Sequence, residues 1–149
     1  VWNGTDPTSS VFSVGTDNES NNSGDDFIAY CWTSVSQYSS FGSYVGNGSS
    51  DGPFVFTGHR ARFLMIKCST KNGEDWLMLD TARDAYNDGD SSALYASLSH
   101  ADNSTSTITT DILSNGFKAR ATNAAINASG QTYIYMSFAL HPFATARAR

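Results

Sequence analysis

Between Ser39 and Lys67 two aromatic pieces, Phe41-Gly42-Ser43-Tyr44-Val45 and Phe54-Val55-Phe56, flank a turn built almost wholly of Gly, Asn, Ser, Asp and Pro. Asn47-Gly48 favours left-handed backbone, and Asp51-Gly52-Pro53 adds a second break within a few residues, so the stretch reads as a hairpin. After Gly58 comes Phe63-Leu64-Met65-Ile66, a short apolar run of the kind buried on both faces of a sheet. Strand, polar turn, strand, corner and buried strand form the local grammar of a β-sandwich or barrel.

The remaining chain repeats that grammar. Val11-Phe12-Ser13-Val14 is predicted as a first short strand, and Phe27-Ile28-Ala29-Tyr30-Cys31-Trp32, entered at Asp26, as a strong one. The loop Ser69 to Gly73 joins the Phe63–Lys67 strand to Trp76-Leu77-Met78-Leu79, which predicts an antiparallel hairpin. Asp80 to Asp90 reads as loop, and Leu94 to Leu98 as a short strand or a single helical turn. Thr105 to Thr110 reads as an edge strand, and Asp111 to Lys118 as a strand turning at Asn115-Gly116. Gln131 to Ala139 is the last strong strand, ended by His141-Pro142 because proline cannot donate to a ladder. No stretch carries helical periodicity. The expected class is all-β, an antiparallel sandwich of jelly-roll or concanavalin-like type.

At 149 residues the chain has length for one domain with a real core, residues 1–149. Only 15% of residues are charged, against about 25% in ordinary globular proteins, so the polar surface rests on Ser, Thr, Asn and Gly. Such a hydroxyl-rich surface suits extracellular and virion proteins. A net charge of −5 offers no basic stripe for phosphates, which argues against a nucleic-acid partner; Arg147 and Arg149 read as a solvated tail. No apolar run approaches the roughly 18 residues of a membrane span. The start at Val rather than Met reads as a processed or fragmentary piece of something longer. Cys31 and Cys68 make no disulfide framework; they are two free thiols or one bridge between adjacent strands.

The segment Ser23-Gly24-Asp25-Asp26-Phe27-Ile28 to Trp32 echoes Ser129-Gly130-Gln131-Thr132-Tyr133-Ile134 to Phe138 at constant offset. Residues 1–32 thus read as the end of a preceding repeat and 33–149 as a full unit. The ordered blocks Ile28 to Trp32, Tyr38 to Gly58, Phe63 to Lys67, Trp76, Leu79 to Asp84, Leu113 to Lys118 and Ala128 to Tyr135 resemble a repeat domain of tailed-bacteriophage structural proteins. That family is found especially in tail-fibre and other virion-surface proteins of marine phages. The resemblance implies a sandwich carried on a virion surface for host attachment, with other virion proteins as partners, and it supplies no catalytic residues. The chain departs from it at Cys68, where a charged residue is expected.

Glycan cleavage would need two carboxylates flanking one bond, one with a raised pKa. The only glutamates, Glu19 and Glu74, lie in polar loops. Asp80 and Asp84 bracket Arg83, which reads as an ion-paired loop. His59, His100 and His141 are scattered without a nucleophile–base set. Asn87-Asp88-Gly89-Asp90 and Asp25-Asp26 offer oxygen ligands without the length of a calcium loop, so no metal, cofactor or catalytic residue is assigned. Sugar binding suits the residues better: Tyr38, Tyr44, Asn47, Asp51, Tyr86 and Asn87 pair aromatic faces with groups that bond hydroxyls. Phe41 has the same chemistry but reads first as core. The six Asn-x-Ser/Thr sequons at Asn3, Asn18, Asn21, Asn47, Asn103 and Asn127 read as coincidences of a Ser/Asn-rich surface. The expectation is a non-enzymatic attachment module, assembled as a homo-oligomer on the pattern of trimeric fibres, that binds a host-surface glycan. A decorating domain that binds only virion neighbours is the first rival, and a polysaccharide depolymerase the second.

Overall fold

The computed structural model describes residues 3–85, 87–105 and 107–143. It divides into two compact units, Val1–Trp32 and Thr33–Arg149. Tyr86, part of the expected Thr105 to Thr110 strand, and the Arg147 and Arg149 tail lie outside the described residues.

The first unit carries one helical turn, α1 (Asn18–Asn21), capped where the Asp17 carboxylate takes the Glu19 N–H at 2.8 Å. The two strands expected here do not form. Val11 to Val14 gives no more than an isolated bridge at Val14, and residues 26–32 join no ladder among the described residues. Phe27, Ile28, Tyr30 and Trp32 are all exposed. Strand propensity measures fit to a neighbour on a pleated surface, and among the described residues no strand pairs with this segment.

The second unit holds nine strands among the described residues: β1 (Ser39–Val45), β2 (Phe54–Phe56), β3 (Ala61–Cys68), β4 (Leu77–Asp80), β5 (Ser91–Tyr95), β6 (Asn103–Thr105), β7 (Thr110–Leu113), β8 (Gly116–Ala119) and β9 (Thr132–Ala139). They form a six-stranded sheet, β1-β9-β3-β4-β5-β6, and a three-stranded sheet, β2-β8-β7. Every pairing is antiparallel. The protein is all-β with two facing sheets.

Register explains the core. Leu64 lies opposite Leu79 and Ser137, Ile66 opposite Leu77 and Tyr135, and Cys68 opposite Tyr133, which faces Tyr44. These residues line the inner face of the large sheet, where they meet Val55, Ile112 and Phe117 of the small one. Phe117 packs edge-on against Tyr44 at 5.7 Å and Tyr135 at 5.5 Å, tying the sheets together. Burying each large apolar side chain stabilises the fold by about 1.5–3 kcal/mol. Cys68 is 2% exposed at the end of this row, so a charge there would be buried and unpaired. Both thiols are free, Cys68 buried and Cys31 exposed.

The hairpin between β3 and β4 forms as the sequence implies. β1 and β2 do not pair. β1 runs beside β9 and β2 beside β8, so residues 46–53 cross from one sheet to the other. Gly48 has the left-handed backbone that Asn47-Gly48 announces, with φ 68°. That conformation turns a corner here and does not close a hairpin. The β7–β8 turn sits at Ser114-Asn115, one residue earlier than expected, and Gly116 begins β8. Its Cβ would drive into the Val55 carbonyl, which is why glycine stands in that row.

Candidate functional site

The loops expected to hold a ligand are occupied with holding the fold. Tyr44 is 8% exposed; its ring stacks on Tyr133 at 5.0 Å and its hydroxyl donates to the Ile126 carbonyl at 2.7 Å. Burial, with the Tyr133 hydroxyl beside it, pushes the Tyr44 phenol far above its ordinary range. Tyr44 is therefore core, and the expectation that it faces a sugar is corrected. Asn47 accepts the Ser49 N–H and donates to the Asp51 carbonyl, closing its own loop. Asn87 is spent likewise: its side chain donates to the Ile112 carbonyl at 3.1 Å and accepts the Ile112 N–H at 2.8 Å, pinning β7. Tyr38 is 41% exposed and stacks on Phe143 at 5.6 Å, away from the Asn47 loop by its place before β1.

Asp51 leads elsewhere. Its carboxylate meets Lys118 at 2.8 Å and Arg120 at 3.6 Å, and Arg120 reaches Asp111 at 3.3 Å. The hydrogen bond from Lys118, its charge, and the charge of Arg120 hold Asp51 below the usual carboxylate range. Register places Phe54 opposite Lys118, and Lys118 opposite Asp111, on the outer face of the small sheet. Phe56, two residues on, shares that face. Phe54 is 47% and Phe56 65% exposed. Two open phenyl rings thus stand beside a chain of alternating charges, Lys118–Asp51–Arg120–Asp111. The sequence places Phe54 and Phe56 in a strand, and their exposure follows from its partner, β8, which lies far along the chain.

The outer face of the large sheet carries a larger apolar stretch, with Asp80 opposite Phe63 and Lys67 opposite Ile134 at its margins. Phe138 is ringed by Tyr38 at 6.0 Å, Phe41 at 5.8 Å and Phe63 at 6.4 Å. Met136, Met65 and Met78 continue the same face by register.

Other candidates resolve into structure. Arg83 clamps Asp80 at 2.6 Å and Asp102 at 2.9 Å, as an ion-paired loop would. Burial works to raise the Asp80 pKa, but hydrogen bonds from the Arg83 side chain and the N–H groups of Arg83 and Ala82 outweigh it and lower it. His59 Nε2 lies 2.9 Å from Ser137 Oγ, a serine–histidine contact that the sequence did not suggest. Ser137 is fully buried, so no substrate reaches its oxygen, and among the described residues His59 Nδ1 has no partner to orient the ring. A cleft among Leu79, Asp80, Asn87 and Thr110 has about 10 Å³ of space, room for one water and not for a sugar. Among the described residues no three His, Cys, Asp or Glu side chains gather as a metal cage.

Fold and face together define an antiparallel two-sheet β-protein with a charged aromatic outer surface. Residues 1–142 match a family described as a domain of unknown function, DUF7483, and the chain belongs to it. No curated protein and no solved structure matches the chain.

Proposed function

We propose that the protein is a non-enzymatic attachment module that holds a carbohydrate on the outer face of its small sheet. The observation that carries this reading is the pair of exposed rings, Phe54 and Phe56, beside Asp51, Lys118, Arg120 and Asp111. Phenyl faces cover the apolar side of a sugar ring, while carboxylates and cations bond its hydroxyls or acidic substituents. The lowered Asp51 carboxyl is a poor proton donor near neutral pH, which disfavours glycan cleavage in the same place. The sequence resemblance to phage structural domains fits a virion-surface location, where many copies would turn weak contacts into firm attachment. The host-surface glycan remains the expected ligand; its face moves from the Tyr44 and Asn87 loops to β2 and β8.

A second reading is favoured by the Phe41, Phe63, Phe138 and methionine surface, which has the composition of a protein-binding patch. On that reading the module decorates a particle and binds its neighbours. A glycan array probed with the purified chain and with the Phe54→Ala/Phe56→Ala variant separates the two. Binding to defined glycans that the double variant loses supports attachment through β2. Flat signal from both proteins leaves the protein-binding reading in its place.

A further inference from the structure

The large sheet ends in an open edge. Tyr38 O accepts the Ala139 N–H and the Gly46 N–H donates to Gln131 O, so even-numbered residues of β1 face β9. Ser39, Phe41, Ser43 and Val45 therefore turn their N–H and C=O groups outward. At the start of this edge Val35 and Ser39 exchange both backbone bonds, at 2.9 and 3.1 Å. The ladder then gives way to side-chain bonds: Ser39 Oγ donates to Thr33 O, and Phe41 N–H to Ser34 Oγ. Among the described residues no strand lies along Ser43 and Val45.

The Val35–Ser39 pair sets a register. Continued, it places Thr33 opposite Phe41, Cys31 opposite Ser43 and Ala29 opposite Val45. Ile28, Tyr30 and Trp32 then fall on the inner face beside Gly46, Tyr44 and Gly42, with small residues on the other side. This is strand alternation. Tyr30 and Trp32, two residues apart, stack with ring centroids 6.1 Å apart, as side chains on one face of a strand would. In the single chain Ile28 is 80%, Tyr30 74% and Trp32 56% exposed. The turn between Val35 and Ser39 is strained, since Gln37 has φ 63° where glycine is at ease. A short strained hinge beside an open edge invites exchange between copies.

We propose that the chain assembles by strand exchange. Residues 27–35 of one copy run antiparallel along β1 of a second copy, in the register that Val35 and Ser39 define. The exchange keeps the Val35–Ser39 bonds in intermolecular form, adds ladder bonds from Cys31 and Ala29, buries Ile28, Tyr30 and Trp32, and lets Gln37 leave the left-handed region.

Light scattering on the 149-residue chain under reducing conditions tests this, across a hundredfold range of concentration. The wild type is expected to form oligomers whose share rises with concentration. Cys31→Pro removes a ladder donor from an exposed position and is expected to leave a monomer with an unchanged β spectrum. Gln37→Pro, which forbids positive φ, is expected to raise the oligomer share, and Gln37→Gly, which relaxes the closed turn, to lower it. A wild type that stays monomeric throughout overturns the proposal. Slow amide exchange at residues 28–32 in that monomer would mean that the strand closes on its own chain. Oligomers that persist in Cys31→Pro overturn it equally.

Discussion

The buried amide of Asn127 accepts the backbone N–H of Asn47 at 2.8 Å, joining two corners of the fold that stand eighty residues apart in sequence. The same amide donates to the Ser49 and Ala121 carbonyls, at 2.7 and 3.1 Å. Asn127 is fully buried, so its loss takes a partner from the Asn47 N–H and from the Ser49 and Ala121 carbonyls and leaves a polar-lined gap where its amide stood. Asn127→Ala is expected to cost about 3 kcal/mol, read as a lower urea midpoint at unchanged slope. A cost under about 0.5 kcal/mol, the size of an ordinary surface change, would show that the loop is held by other means.

Tyr44→Phe separates core from ligand roles. It removes the hydroxyl that donates to Ile126 and leaves the stacking on Tyr133. Stability is expected to fall by about 1 kcal/mol, with glycan binding unchanged. A variant of intact stability that no longer binds would return Tyr44 to the ligand site.

His59 predicts a pH dependence. Burial lowers its pKa, so the folded state holds it neutral while the unfolded state takes up a proton at about 6.5. Below that value the unfolded chain binds more protons, and stability falls as pH drops toward the folded pKa. His59→Gln is expected to flatten the change in urea midpoint between pH 7 and pH 5. An identical slope in wild type and variant would assign the acid sensitivity to other groups.

Gly116→Ala is expected to destabilise the small sheet by 2 kcal/mol or more, on the order of other overpacking changes. Its methyl group would meet the Val55 carbonyl and crowd the Phe54 ring. Gly73, a loop glycine, has open space around it, and Gly73→Ala pays only for its φ of 82°. Equal thermal shifts for the two variants would contradict the packing given for β8.

The sequence spoke clearly wherever local pattern and partner agreed. Ile66 and Leu77 lie in apolar runs joined by a polar loop, and they pair as that pattern requires. It misled where one residue pattern serves two purposes. Asn47-Gly48 turns a corner between sheets with the backbone of a hairpin, because the choice lies with β9 and β8, far along the chain. Phe27 to Trp32 has strand chemistry and joins no ladder among the described residues, since alternation cannot supply a neighbour. Tyr44 and Phe56 are both aromatic residues in strands beside the same loop. One is core and the other exposed because register, which composition does not encode, turns them to opposite sides.

Affinity of the Phe56→Ala and Phe63→Ala variants for an array-selected glycan, measured beside the wild type by calorimetry, tests the assignment of the ligand face most directly. Phe56 lies on the outer face of the small sheet and Phe63 on that of the large one. Binding by Phe56→Ala is expected to weaken at least tenfold with little change in thermal midpoint, while Phe63→Ala binds as the wild type does. Full affinity in Phe56→Ala, with loss in Phe63→Ala, would place the ligand on the other sheet and contradict the account given for β2 and β8.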